Sequence, residues 1–94
     1  MLKKSYEDYA LIMKALSDET RVKIFHMLAK GELCACDILE SLSITQPTLS
    51  YHMKTLCETG LVDSRRDGVW TRYCINRDTL SAIKQFFDHI EASI

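Results

Sequence analysis

Apolar residues recur at helical spacing at the start of the chain. Tyr6, Tyr9, Ala10, Met13 and Leu16 share one face and predict a helix over residues 5–16. Ser17-Asp18-Glu19 interrupts the pattern, with Ser17 suited to cap a second helix over about 18–30. That helix is expected to turn Val22, Phe25, Leu28 and Ala29 inward and to end at Gly31. Ile38, Leu39 and Leu42 make a short helical stripe, which Ser43-Ile44-Thr45 breaks. Gln46-Pro47 restarts the pattern, with Thr45 as cap and Pro47 tolerated in the first turn. The restarted helix runs to about Thr59, with Leu49, Met53 and Leu56 inside and Gly60 as its stop. Beyond Gly60 the period becomes alternating, which predicts strands over Leu61–Arg66 and Val69–Ile75 around an Asp67-Gly68 hairpin. In the second strand Val69, Thr71, Tyr73 and Ile75 share one face, and Trp70, Arg72 and Cys74 the other. A last helix over about 78–92 lines up Leu80, Ile83, Phe87 and Ile90, with Phe86 beside them.

The expected fold is therefore mainly α with a β-hairpin wing: helix, helix, helix-turn-helix, hairpin, helix. Two short helices joined by a tight turn form the helix-turn-helix, and a hairpin directly after its second helix is a wing. Residues 1–94 are read as one domain of this winged helix-turn-helix type, too short for a second. A domain of this size buries proportionally little surface, so dimerisation is a natural remedy.

The apolar fraction of 47% and charged fraction of 27% are those of an ordinary globular protein. No apolar run approaches the roughly 18 residues that a membrane span needs. The start, Met1 to Asp8, lacks the apolar stretch of a secretory signal, so a cytoplasmic location is expected, with no membrane partner. In a reducing compartment the four cysteines, Cys34, Cys36, Cys57 and Cys74, suit metal binding or redox sensing better than structural disulfides. The net charge of −1 is unevenly spread. Residues 44–77 hold Lys54, Arg65, Arg66, Arg72 and Arg77 against Glu58, Asp63 and Asp67, a balance of +2, which leaves −3 elsewhere. A mildly basic segment in an acidic chain suits a local anion-binding surface.

A recognition helix puts its exposed N-terminal residues into the major groove. Here those are Gln46, Thr48, Ser50, Tyr51 and Lys54, with His52 near the edge of the face. Gln can pair bidentately with adenine, and Thr or Ser can bond a base or a phosphate. Lys54 and Tyr51 can hold phosphate oxygens. Arg65, Arg66 and Arg72 put long cations on the wing, where they can follow the backbone or enter the minor groove.

Cys34 and Cys36 stand two residues apart. In a regular helix their side chains point roughly 200° apart, too divergent to share an ion. At or just before a helix start the backbone can be extended or deformed, and both sulfurs can then reach one centre. If the ion is held only by distorting the first turn, its binding moves the helix that supports the recognition helix. Two thiolates favour soft, thiophilic ions and are too few for a closed zinc site. Cys57, Cys74, Asp37, water or an external thiol are candidates for further ligands, although Cys57 also reads as a buried small apolar residue. Asp88-His89-Ile90-Glu91 on the last helix could ligate zinc across a dimer, or be a solvated face.

Several stretches together resemble the ArsR/SmtB family of metal-responsive repressors, over about residues 10–76. Ala15-Leu16-Ser17-Asp18-Glu19-Thr20-Arg21-Val22-Lys23-Ile24 resembles the start of its second helix, and Glu32-Leu33-Cys34-Ala35-Cys36-Asp37 the cysteine box of its arsenic- and cadmium-sensing members. Gln46 to Met53 resembles the recognition helix; Gly60-Leu61-Val62, Arg65 to Trp70 and Tyr73 resemble the wing. The resemblance implies a homodimer through the first and last helices. It implies repression at inverted-repeat operator DNA and release when an ion binds Cys34 and Cys36. Enterobacterial-type arsenic sensors carry a third cysteine where this chain has Leu39. Cadmium- and lead-sensing members add cysteines from an N-terminal extension, whereas no cysteine precedes Cys34 here. Residues 78–94 also lack the His pattern of zinc sensors. As(III) or Sb(III) is thus the first choice of effector, ahead of Cd(II) or Pb(II).

Two other readings belong beside it. The same fold could sense thiol oxidation or reactive sulfur, although cysteines at i, i+2 close a strained ring poorly. A winged helix could also serve protein interaction without binding DNA, which would show as no salt-dependent DNA affinity. No nucleophile-base-acid set, phosphate loop or Cys-X-X-Cys motif is present, so an enzyme is not expected.

Overall fold

The computed structural model describes residues 4–94; the start of the chain, Met1–Lys3, lies outside the described residues. The helices are α1 (Tyr6–Ala15), α2 (Glu19–Met27), α3 (Ala35–Ser41), α4 (Gln46–Glu58) and α5 (Arg77–Ser93). A 3₁₀ turn over Leu28–Lys30 follows α2, and the strands are β1 (Leu33–Cys34), β2 (Val62–Asp67) and β3 (Trp70–Ile75). The fold is a winged helix-turn-helix: α3 and α4 form the helix-turn-helix, and β2 and β3 the wing.

The caps come largely from side chains. Ser5 and Asp8 close a reciprocal capping box on α1. Asp18, not Ser17, caps α2, its Oδ1 accepting the Arg21 N–H at 3.0 Å. Ser17 instead donates its hydroxyl to the Lys14 carbonyl at the end of α1. Thr45 caps α4 as expected, and Pro47 sits in its first turn, where no N–H is needed.

One cluster forms the core: Ile12, Ala15, Ile24, Leu28, Ile38, Leu49, Met53, Leu56, Leu61 and Val62. The recognition-helix residues expected inside are inside. Across α2 and the 3₁₀ turn after it, the inward set is different. Ile24 is fully buried, Leu28 is buried and Phe25 is half-buried, whereas Val22 and Ala29 are exposed. In α1 the core takes Ile12 and Ala15; of the expected stripe, Leu16 packs partly against the core and Tyr9 is half-buried, while Tyr6, Ala10 and Met13 are exposed. Periodicity alone does not say which face of a helix the core uses.

The sheet has the order β1-β3-β2, antiparallel throughout. β2 pairs β3 from Val62↔Ile75 to Asp67↔Trp70, so the loop is Gly68-Val69, one residue later than expected. Gly68 has φ +66 and Val69 a negative φ, the arrangement of a turn that demands glycine at its first central position. Two-residue β1 pairs Leu33↔Tyr73 and Cys34↔Arg72. It is too short to show any period in sequence, and it docks the segment before α3 onto the wing. Among the described residues, no helix is long and apolar enough to cross a membrane.

Candidate functional site

The cysteine pair sits where β1 turns into α3. Cys34 is the N-cap of α3, extended at φ −83, ψ 161, and Cys36 lies in the first turn. The change from extended to helical backbone cancels the divergence that a regular helix would impose. The Cα atoms are 5.3 Å apart, and the two Sγ atoms are joined as a disulfide. The expectation that such a pair closes poorly is therefore corrected, because one partner lies outside the helix, at a separation that disulfides commonly span.

Asp37 completes the cluster. Its N–H donates to Cys34 Sγ at 3.3 Å, and the Cys34 N–H donates to its Oδ2 at 3.1 Å. This is a capping box with a sulfur in the place of a hydroxyl. Both sulfurs and a carboxylate oxygen of Asp37 lie within 4.8 Å of one another. Cys34 is buried, Cys36 half-buried and Asp37 exposed, so the cluster opens to solvent on one side. Leu39, at the position of the third cysteine of enterobacterial-type sensors, is half-buried against the core.

Neither other cysteine is grouped with this pair among the described residues. Cys57, on α4, packs partly against the core, where burial pushes its thiol above the usual 9.0, against a hydrogen bond with Ser64. Burial likewise pushes the Tyr73 phenol up. Cys74 lies on β3, opposite Asp63.

The candidate nucleic-acid face lies on α4 and the wing. Gln46, Thr48, Ser50, Tyr51 and Lys54 are all exposed along α4. His52, expected at the edge of that face, is only 8% exposed. Its Nδ1 lies 3.1 Å from Arg21 Nη1, and Arg21 Nε donates to the Ala15 carbonyl at 2.6 Å. A guanidinium can only donate, so Nδ1 accepts and the ring proton sits on Nε2. His52 thus ties α4 to α2 and α1.

On the wing, two of the three expected cations are already engaged. Arg65 donates from Nε and Nη2 to the two oxygens of Glu32, at 3.0 and 2.7 Å. Glu32 holds this guanidinium's pKa above its ordinary value. Arg72 donates to Asp67 Oδ2 at 2.8 Å and holds that carboxyl below the usual range. Arg66 forms no ion pair among the described residues. Glu32 and Arg21 were missed by sequence reasoning. Their partners lie 33 and 31 residues away, and no local pattern marks them.

The bacterial regulatory protein arsR family matches residues 18–64. An arsenical resistance operon repressor of Staphylococcus xylosus is 45% identical over 95% of this chain and 86% of its own length. A cadmium resistance regulatory protein homologue of Staphylococcus aureus is 36% identical over 81% of this chain and 64% of its own. Among solved structures, a homodimeric winged helix-turn-helix DNA-binding domain of Mycobacterium bovis superposes with a TM-score of 0.73. It is 26% identical and covers 99% of this chain and 89% of its own. These relatives are regulators of transcription, not enzymes.

Proposed function

This chain belongs to the arsR family of bacterial regulatory proteins, and on that premise we propose that it is an arsenite- or antimonite-responsive repressor. It binds inverted-repeat operator DNA as a homodimer in the cytoplasm and lets go when the effector occupies Cys34 and Cys36. The observation that carries the reading is the convergence of the two sulfurs at the N-cap of α3, the first helix of the helix-turn-helix.

The donor set fits. Two sulfurs at one point, once their bond is reduced by exchange with two equivalents of an external thiol, which leave as its disulfide, and once deprotonated, are soft ligands for a thiophilic centre. The open side of the cluster leaves room for a small exogenous third ligand. Cys34 also gives the protein a way to respond, because its Sγ caps α3. A sulfur engaged elsewhere gives up the Asp37 N–H and unsettles the first turn. No prior distortion of α3 is required, since Cys34 already lies outside the helix. Ile38 of α3 shares the core with Leu49, Met53 and Leu56 of α4, so a shift of α3 reaches the recognition helix.

Gln46, Thr48, Ser50, Tyr51 and Lys54 face the major groove in this reading, and Arg66 the backbone. His52 acts inside, holding α4 in place. The chain works as one winged helix-turn-helix unit whose α1 and α5 meet their copies in the dimer.

The test is fluorescence anisotropy with reduced protein, oxygen excluded, on labelled duplexes tiling the region upstream of its own gene. Arsenite is expected to release the protein, and Cys34→Ser/Cys36→Ser to bind DNA but ignore arsenite. If both proteins respond alike, the cysteine pair is not the sensor. A second reading, release by thiol oxidation, is favoured by the sulfurs' being joined in the structure. It predicts that a disulfide oxidant alone releases the DNA, with no metal or metalloid present. Release by cadmium but not arsenite would move the effector to Cd(II) or Pb(II).

A further inference from the structure

Among the described residues, Glu32 is the one carboxylate from outside the hairpin that grips a wing cation. Asp67 and Arg72 belong to the same hairpin, five residues apart. Glu32 comes from the segment that leads into β1, 33 residues before Arg65, and meets the Nε and Nη2 donors along one edge of the guanidinium. That two-toothed geometry is also how a guanidinium takes a phosphate diester. The Nε/Nη2 edge cannot serve both at once.

We propose that Glu32 stands in for a DNA phosphate, occupying the Arg65 guanidinium and competing with the DNA backbone for it. The inference rests on the wing being a DNA-facing surface, as the proposed function has it. It adds a residue that sets affinity without touching the nucleic acid. Glu32 lies two residues ahead of Cys34, and the intervening Leu33 and Cys34 are paired with Tyr73 and Arg72 of β3. The carboxylate is thus held against the wing by a ladder that starts at the cysteine pair. The pair is partly exposed, so it exchanges readily and modulates affinity instead of blocking it.

The experiment measures anisotropy of reduced wild type, Glu32→Gln, Arg65→Gln and the double variant on a mixed-sequence duplex across a salt series. Phosphate contacts ignore sequence, so no operator is needed. Glu32→Gln should bind about twofold to fivefold tighter than wild type, the range one exposed pair can supply. Its salt slope should steepen by about 1, the signature of one added phosphate contact. Arg65→Gln should bind more weakly, and the double variant should match Arg65→Gln. Both positions are exposed, and equal thermal melts establish that the variants are folded. Unchanged affinity in Glu32→Gln, with wild type bound, overturns this inference alone. So does tightening that persists in the Arg65→Gln background, because Glu32 would then act only as a repulsive charge. If wild type binds no duplex at any salt, the DNA-binding reading falls and this inference with it.

Discussion

Single side chains set the ends of helices and the placing of α4. Asp18 accepts the Arg21 N–H at the start of α2, and that bond holds its carboxyl below the ordinary 3.8. Asp18→Ala should lower stability, read as a lower urea midpoint at neutral pH. The sign of the pH dependence follows. A lowered carboxyl stabilises the fold above its unfolded value, and the contribution is lost as pH falls below 3.8 through the depressed value. The Asp18→Ala penalty should therefore shrink on acidification. The Arg21–His52 pair is nonlocal and less exposed. Arg21→Ala leaves a buried imidazole nitrogen and the Ala15 carbonyl without a donor, at a cost of about 1–3 kcal/mol. A loss no greater than that of an exposed Arg→Ala control would show that the pair holds nothing together.

At the scale of elements, the wing depends on one backbone conformation. Gly68 has φ +66, and a Cβ there meets nothing within 4 Å. Gly68→Ala is therefore penalised by the conformation itself, about 1 kcal/mol, and not by a clash. The variant should melt lower and bind DNA less well while keeping two reactive thiols per reduced Cys34/Cys36 pair, as thiol titration can check. The helix-turn-helix and the hairpin were legible in sequence because each has a local signal: Thr45 before Gln46-Pro47, and glycine between alternating runs. β1 was not legible. Two residues have no period, and they become a strand only because β3 lies alongside.

The whole molecule is elongated, 46 × 25 × 23 Å, with a radius of gyration of 14.2 Å. A compact chain of this length would have about 12 Å. The terminal helices account for the difference. The 17-residue α5 buries only Thr79 and Ala82, and Tyr9 stacks on Phe86 at 4.2 Å to hold it to α1. Tyr6, Leu11 and Met13 of α1 stay exposed, as do Leu80, Phe87 and Ile90 of α5. Apolar area on this scale is what a dimer interface buries. Phe87→Glu should shift the protein to monomer in sedimentation velocity and weaken binding to a two-half-site duplex more than to a single half-site. An unchanged sedimentation coefficient would place the dimer contact elsewhere.

Of the stripe read from sequence through Tyr6, Tyr9, Ala10, Met13 and Leu16, Leu16 packs partly against the core and Tyr9 against Phe86, whereas Tyr6, Ala10 and Met13 stay exposed. The reason is general: period marks a face, and only packing says what covers it. The sequence by itself determined the order of the five helices and the hairpin, the cap at Thr45, the inward face of α4 and the presence of two cysteines beside a helix start. All of these rest on neighbours within a few residues. Tertiary structure decided that Cys34 is extended while Cys36 is helical, that His52 is buried against Arg21, and that Arg65 is held by Glu32. Each of those depends on residues about thirty positions apart, or on a strand that exists only by pairing, and no local pattern records them.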